Sequence, residues 1–265
     1  MSADRAESGA GHVAAAAAED DGAGRKPGSL RADGVTAGYG GDPVIRSVSV
    51  RSDPGRVVSV VGPNGSGKST LLKALIGILR ITDGRVSVGD RDVTNLAPED
   101  MARAGVGYVP QVDDVFAPLT VRENLEMGGY LLSRHEIADR VEHVLAVFPK
   151  LGSMLRRPAG KLSGGERKML AMGRVLMLRP AVFLLDEPTA NLAPAIARSL
   201  LEEQVTRLAA QGAAVLIVEQ RARAVLAVSD YTYVMGGGEI RMSGSPAELS
   251  ASPAFVSSFL GGHRG

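Results

Sequence analysis

Downstream of Ser29 the chain alternates short apolar runs with breaks rich in Gly and Pro. Residues 44–50 and 56–61 have the length of strands, broken by turn residues on either side. Val57-Val58-Ser59-Val60-Val61 is nearly all β-branched, as a strand buried on both faces of a parallel sheet requires. Ala181-Val182-Phe183-Leu184-Leu185 and Ala214-Val215-Leu216-Ile217-Val218 repeat that character and predict two more central strands. Between them the spacing changes. Over residues 69–79, Leu71, Leu72, Leu75 and Leu79 fall on one helical face. Helix signals dominate from about 113 to 175, where Thr120 with Glu123 and Ser163 with Glu166 each make a capping box. Ser245-Pro246-Ala247-Glu248 opens a further helix, with Ser as cap and Pro at the first helical position. Strand, helix, helical insert, strand, helix, strand is the order of an α/β domain carrying one inserted helical lobe. No internal repeat is present.

Residues 1–28 break this pattern. They are Ala, Gly, Ser and Asp with almost nothing bulky to bury, and predict a disordered tail ahead of a folded domain at 29–265. The tail is slightly acidic, and the whole chain of 265 residues carries a net charge of only +1. That balance gives no footprint for nucleic acid. There are no cysteines, so disulfides and Cys-based metal sites are excluded. No stretch approaches the roughly 18 uncharged apolar residues of a membrane span. The Ala run at 14–18 leads into Glu19-Asp20-Asp21 and is not the core of a signal peptide. A cytoplasmic protein is expected, with any role at a membrane coming through partners.

Three motifs carry chemistry. Gly62-Pro63-Asn64-Gly65-Ser66-Gly67-Lys68-Ser69-Thr70 fits G-x-x-x-x-G-K-[ST] between a predicted strand and a predicted helix. Its glycines let backbone N–H groups turn towards phosphate oxygens, and the following helix start adds partial positive charge. Lys68 supplies a full charge to the β- and γ-phosphates, and Ser69 offers an oxygen to Mg²⁺. Second, the strand at 181–185 ends in Asp186-Glu187. At the C-terminal edge of a parallel sheet, Asp186 can hold the Mg²⁺ shell and Glu187 can polarise an attacking water. Third, Leu162-Ser163-Gly164-Gly165-Glu166 places two glycines beside a capped helix start, again exposing N–H groups to an anion.

A chain with both the phosphate loop and Leu162-Ser163-Gly164-Gly165 resembles the ABC ATPases, over about residues 29–265. The resemblance implies a P-loop NTPase core with a parallel sheet, an N-terminal antiparallel β part and the inserted helical subdomain. It implies ATP and Mg²⁺ as ligands. It also implies that Ser163, Gly164, Gly165 and Glu166 meet the ATP held by an opposite subunit, so that two chains sandwich two nucleotides. Tyr39 sits where the family stacks an aromatic on adenine. Gln111 matches the glutamine that touches Mg²⁺ and water and opens the helical lobe. Two departures stand out. Ala190-Asn191-Leu192-Ala193 replaces the usual Ser-Ala-Leu-Asp, and Gln220 stands where a histidine normally senses the γ-phosphate. A Gln amide can donate a hydrogen bond but cannot become a cation, so slower hydrolysis is expected at this site.

The departures point to a subfamily. Asn191-Leu192-Ala193-Pro194, Val218-Glu219-Gln220-Arg221-Ala222-Arg223 and Phe116-Ala117-Pro118-Leu119-Thr120-Val121 look like the shorter ATPase subunit of branched-chain amino-acid uptake systems. That likeness implies a second ATPase, two transmembrane permeases, an external solute-binding protein, and a place at the inner face of the membrane. Urea and amide uptake systems use close relatives, so the cargo stays open between these classes. A soluble ABC machine is the other reading. One Lys68 loop and one Ser163 signature argue against ribosome-type members, which carry two cassettes. An insert without sustained heptads argues against DNA-repair types.

Overall fold

The computed structural model describes residues 28–260 apart from Asp113, and the backbone but not the side chain of Leu260. The predicted tail, Gly28 excepted, lies outside the described residues.

The chain opens with β1 (Leu30–Ala37) and β2 (Ile45–Ser52), which pair antiparallel. β3 (Val57–Val61) is buried at all five positions and runs into the glycine loop and α1 (Lys68–Leu75). β4 (Ile81–Val88) returns to pair with β1, with the short β5 (Arg91–Asp92) at its edge. After α2 (Pro98–Arg103) and β6 (Val106–Val109) the chain is helical: α3 (Val121–Gly128), α4 (Arg134–Val147), α5 (Pro149–Gly152) and α6 (Gly164–Leu176). β7 (Val182–Asp186) follows. α7 (Pro194–Ser199) then continues through a π-helical run, Leu200–Val205, into α8 (Thr206–Ala210). β8 (Ala214–Glu219), α9 (Ala222–Leu226), the hairpin β9 (Tyr231–Gly236) and β10 (Glu239–Gly244), α10 (Pro246–Ala251) and α11 (Pro253–Phe255) follow, the last running into a π-helical stretch, Val256–Leu260.

Two sheets result. One is antiparallel with order β2-β1-β4-β5; the other has order β10-β9-β3-β8-β7-β6. In the larger sheet β9, β3, β8, β7 and β6 are mutually parallel, and only β10 runs against its neighbour. This is the α/β P-loop architecture with an antiparallel N-terminal part that the sequence implies. Alternating faces of the parallel strands feed two cores. Val58, Val60, Leu184 and Leu216 pack with α1 and the antiparallel sheet, whereas Val57, Phe183, Leu185 and Ile217 pack with α6 and the helices around it. The C-terminal ends of β3, β7 and β8 therefore lie side by side, at the edge where ligands bind in such sheets.

The helix predicted over 69–79 ends four residues early, at Leu75. Gly77 has φ +78, and a Cβ there would sit 1.9 Å from the Leu96 carbonyl oxygen. Only glycine fits that close approach, and its left-handed backbone turns the chain out of the helix. Leu79 still packs against the core, but from the turn beyond the helix.

Candidate active site

The loop after β3 reaches α1 through Gly67, whose φ of +100 and whose hypothetical Cβ, 2.7 Å from Ile45 Cγ2, both require glycine. No side chain caps α1 and no acidic residue lies in its first turn. Its leading N–H groups are therefore open to an anion. Lys68 folds back over the loop: its ammonium donates to the carbonyls of Gly62 at 2.9 Å and Pro63 at 3.1 Å. Burial weakens its hold on the proton, and Glu187, Asp186 and then Glu219 act in the opposite direction.

The carboxylates stand opposite. Asp186, at the end of β7 and 4% exposed, accepts from Ser69 Oγ at 3.0 Å and from the Tyr108 hydroxyl at 3.2 Å. Burial, and then the Asp186 charge, push the Tyr108 phenol above its ordinary range, so it stays a donor at neutral pH. Glu187 has left-handed backbone, φ +43, which is uncommon outside glycine. One of its oxygens lies 3.8 Å from the Lys68 ammonium and the other accepts from Gln111 Nε2 at 3.0 Å. Glu219, at the end of β8 and 2% exposed, accepts from the Thr189 N–H at 2.9 Å and the Thr189 hydroxyl at 2.7 Å. Burial pushes its pKa above the usual carboxylate range; the hydrogen bonds from Thr189 oppose the shift, the nearby Glu187 charge adds to it, and the Arg221 N–H opposes it.

These groups border a polar cavity of about 520 Å³. Of the residues expected from sequence, Asn64, Gly65, Gly67, Lys68, Ser69, Thr70, Gln111, Glu187 and Gln220 line it. Gly62 and Pro63 serve it through the carbonyls that hold Lys68, and Asp186 stands behind Ser69. Ser66 is buried within the loop. Tyr39 is not among the lining residues; it is 61% exposed, with the Lys73 ammonium of α1 5.8 Å from its ring centroid. Ser163, Gly165 and Glu166 line a different groove, with Ile196, Gln204 and Arg207. A Cβ on Gly164 would meet Leu192 at 2.8 Å, and one on Gly165 would meet Ile196 at 2.5 Å. Sequence reasoning missed Tyr108, Glu219 and Arg221 as site neighbours. The first lies on β6 beside Leu184, and the second is paired with Val61. Strand register brings in Tyr108 and aims Glu219, whereas Arg221 follows directly on the expected Gln220.

The donor set fits a hydrated divalent ion that arrives with phosphate. Ser69 Oγ and Asp186 Oδ1 are already in contact, so a divalent ion could be held by the lone pairs of the hydroxyl and the carboxylate together. Among the described residues no cluster of three or more His, Cys, Asp or Glu side chains could hold a metal alone. Such an ion must complete its shell with phosphate and water oxygens, as Mg²⁺ does.

A parallel strand, a glycine loop, a helix opening on Lys, and carboxylates on the next strand end define a P-loop nucleoside triphosphatase. The chain belongs to the ABC transporter family, which matches it over residues 45–190, and it is an ATP-binding ATPase of that family. It is 37% identical to the probable branched-chain amino acid transport ATP-binding protein LivF of Archaeoglobus fulgidus, across 88% of this chain and 98% of that one. It is also 37% identical to the high-affinity branched-chain amino acid transport ATP-binding protein BraG of Pseudomonas aeruginosa, across 88% and 100%. The lipopolysaccharide export ATP-binding protein LptB of Acidithiobacillus ferridurans is 34% identical across 88% of this chain and 96% of its own. A solved ATP-binding cassette of an ABC transporter in its ADP conformation superposes with a TM-score of 0.80 at 30% identity, covering 88% of this chain and 98% of that one. Among the described residues no helix is long and apolar enough to cross a membrane.

Proposed function

We propose that this chain energises the import of branched-chain amino acids, hydrolysing Mg-ATP as one half of a head-to-tail dimer docked on membrane permeases. The observation that carries the catalytic reading is the meeting of Lys68, Gln111 and Glu187 at one cavity edge. Lys68 and the α1 N–H groups would hold the phosphates, and Ser69, Asp186 and Gln111 would hold Mg²⁺, which would supply charge neutralisation at the phosphate oxygens. Glu187 accepts the proton of the attacking water. Glu187 is engaged by Lys68 and Gln111, the two side chains that would turn to phosphate and metal, which would leave its carboxylate to the water.

The dimer is supported by the separation of the two anion-seeking elements. Ser163 and Gly165 do not border the cavity that Lys68 borders, so a nucleotide there is completed by the α6 start of another chain. The permease contact is supported by a groove of about 320 Å³ beside the residue 113–175 segment, which we read as the helical subdomain. Met127 and Tyr130 line it at 50% and 58% exposure, and Arg174, also in its wall, lies 4.4 Å over the exposed ring of Phe116. An external solute-binding protein would act through the permeases, and the subunit would sit at the inner membrane face. The cargo reading draws on the LivF and BraG likenesses.

The test is uptake by the complex assembled with its native membrane partners, comparing labelled leucine with labelled urea. ATP-dependent leucine uptake that Glu187→Gln abolishes supports the reading. Urea uptake without leucine uptake moves the chain to the amide class, and neither overturns import of this kind.

A further inference from the structure

Glu187 carries a backbone conformation that side-chain-bearing residues seldom adopt, and such a conformation persists only where its surroundings fix it. On its own side, the Glu187 N–H donates to the Val218 carbonyl at 3.0 Å, and the Ala190 N–H donates back to the Glu187 carbonyl at 3.0 Å. Pro188 limits φ at the next position. The remaining anchor is Thr189, fully buried, whose N–H and hydroxyl both end on one carboxyl oxygen of Glu219. Glu219 is fixed in turn by its place at the end of β8, in register with Val61 of β3 and one residue beyond the Asp186–Val218 pair. A carboxyl group in so buried a position is costly unless its oxygens are satisfied, and an apolar side chain would fill that interior position at less cost. What the carboxyl contributes is a set of acceptors: one oxygen takes both Thr189 donors, and the group also accepts from the Arg221 N–H.

We propose that Glu219 is a positioning residue for hydrolysis. By clamping Thr189 it holds the 187–190 turn left-handed at Glu187, so that the Glu187 carboxylate faces the phosphate cavity between Lys68 and Gln111. This rests on the reading of Glu187 as the group that takes the proton from water. Glu219 also borders the cavity, and the role assigned to it here runs through Thr189. Without the clamp, two buried donors on Thr189 lose their acceptor and the turn relaxes. Nucleotide binding, which depends on the Lys68 loop and α1, is left in place.

The experiment uses the full chain in its assembled complex, with the sister subunit's site blocked, together with Mg-ATP, a fluorescent ATP analogue as the binding probe, and thermal melting to confirm a folded sample. Glu219→Met is expected to lower kcat by roughly tenfold or more while KM and probe affinity stay within about twofold of wild type. Glu219→Gln, which keeps an oxygen for both Thr189 donors, is expected to recover most of the rate. Thr189→Val removes one of the two donors with little change in shape and is expected to lie between the two. It also decides the matter if Glu219→Met does not fold. A wild-type kcat in Thr189→Val and in folded Glu219→Met overturns the clamp, and so does a Glu219→Gln enzyme as slow as Glu219→Met. Glu187→Gln is measured alongside: full activity there removes Glu187 from the chemistry, whereas an inactive Glu187→Gln with an unaffected Glu219→Met removes only Glu219.

Discussion

Lys68 and Glu187 lie 3.8 Å apart, yet their replacement should separate cleanly in kinetics. Lys68→Ala deletes the charge that meets the phosphates, so probe affinity should fall steeply, and hydrolysis falls with it. Glu187→Gln keeps the shape and loses the base, so nucleotide still binds while turnover drops by about 10²–10⁴. Equilibrium binding and single-turnover hydrolysis of the same samples check both. Tyr108→Phe is milder: Asp186 keeps the Ser69 hydroxyl and loses one donor of two. A hydrogen bond to a charged group contributes about 1.5–3 kcal/mol. The Mg²⁺ dependence of hydrolysis should therefore shift in Tyr108→Phe, and an unchanged Mg²⁺ titration would remove Tyr108 from the site. The loop residues and Asp186-Glu187 were legible because their spacing is local, within one strand-turn-helix or one strand end. Tyr108 and Glu219 were not, because their partners are set by which strands lie side by side.

At the scale of elements, capping was the most legible feature and strand order the least. Thr120 with Glu123 and Ser163 with Glu166 form the reciprocal boxes read from sequence, and the Ser245 cap read there forms one as well, with Glu248. Ser133 with Glu136, at the start of α4, has the same spacing and was missed; Glu136 accepts from the Ser133 N–H at 2.8 Å and its hydroxyl at 2.7 Å. Hydrogen bonds from the cap residue hold all four of these Glu side chains below the ordinary carboxylate range. A carboxylate depressed in the folded state stabilises fully above its unfolded value of about 4.3, and that stabilisation disappears as pH falls through the folded value. Thermal midpoints should therefore decline below about pH 4.3, and less steeply in Glu166→Gln, whose cap keeps an acceptor that does not titrate. Equal slopes would show that the α6 cap plays no part in acid unfolding. Gly77 is the corresponding device at the other end of a helix. Gly77→Ala drives a Cβ onto the Leu96 carbonyl and should cost about 2–4 kcal/mol in denaturant unfolding. The sequence reading overran α1 because the apolar spacing continues to Leu79, while the signal that stops the helix is a close approach from residues nearly twenty positions away.

For the whole molecule, the Lys68 cavity and the Ser163 groove lie on separate parts of one chain, and the proposed function at this scale is that of an assembly. The groove with Met127 and Tyr130 gives one consequence: Tyr130→Asp should leave ATP binding intact and lower solute uptake per ATP hydrolysed in the reconstituted complex, because a charge there opposes an apolar partner. Normal coupling would place the permease contact elsewhere. The other consequence concerns the two ATP sites of the proposed dimer. The site built on this chain's Lys68 and Glu187 is bordered by Gln220, an amide that can donate hydrogen bonds but carries no charge. The site that borrows this chain's Ser163, Gly164 and Gly165 is bordered instead by the sister subunit's residue. Where that residue is the histidine usual in the family, the sites differ in how they meet the charge developing on the transferred phosphoryl group. Losing such a contact in a site closed to water costs about 2–4 kcal/mol in the transition state, or roughly 30- to 1000-fold in rate. The chain's own site should then be the slower. Single-turnover hydrolysis in the full complex, with one site blocked at a time through the catalytic glutamate of each subunit, reads the two rates separately. Equal rates, or a faster site on this chain, would sink the asymmetry. Gln220→His supplies the missing cation directly: it should accelerate this site alone, whereas an unchanged rate would mean that the Gln220 amide already suffices.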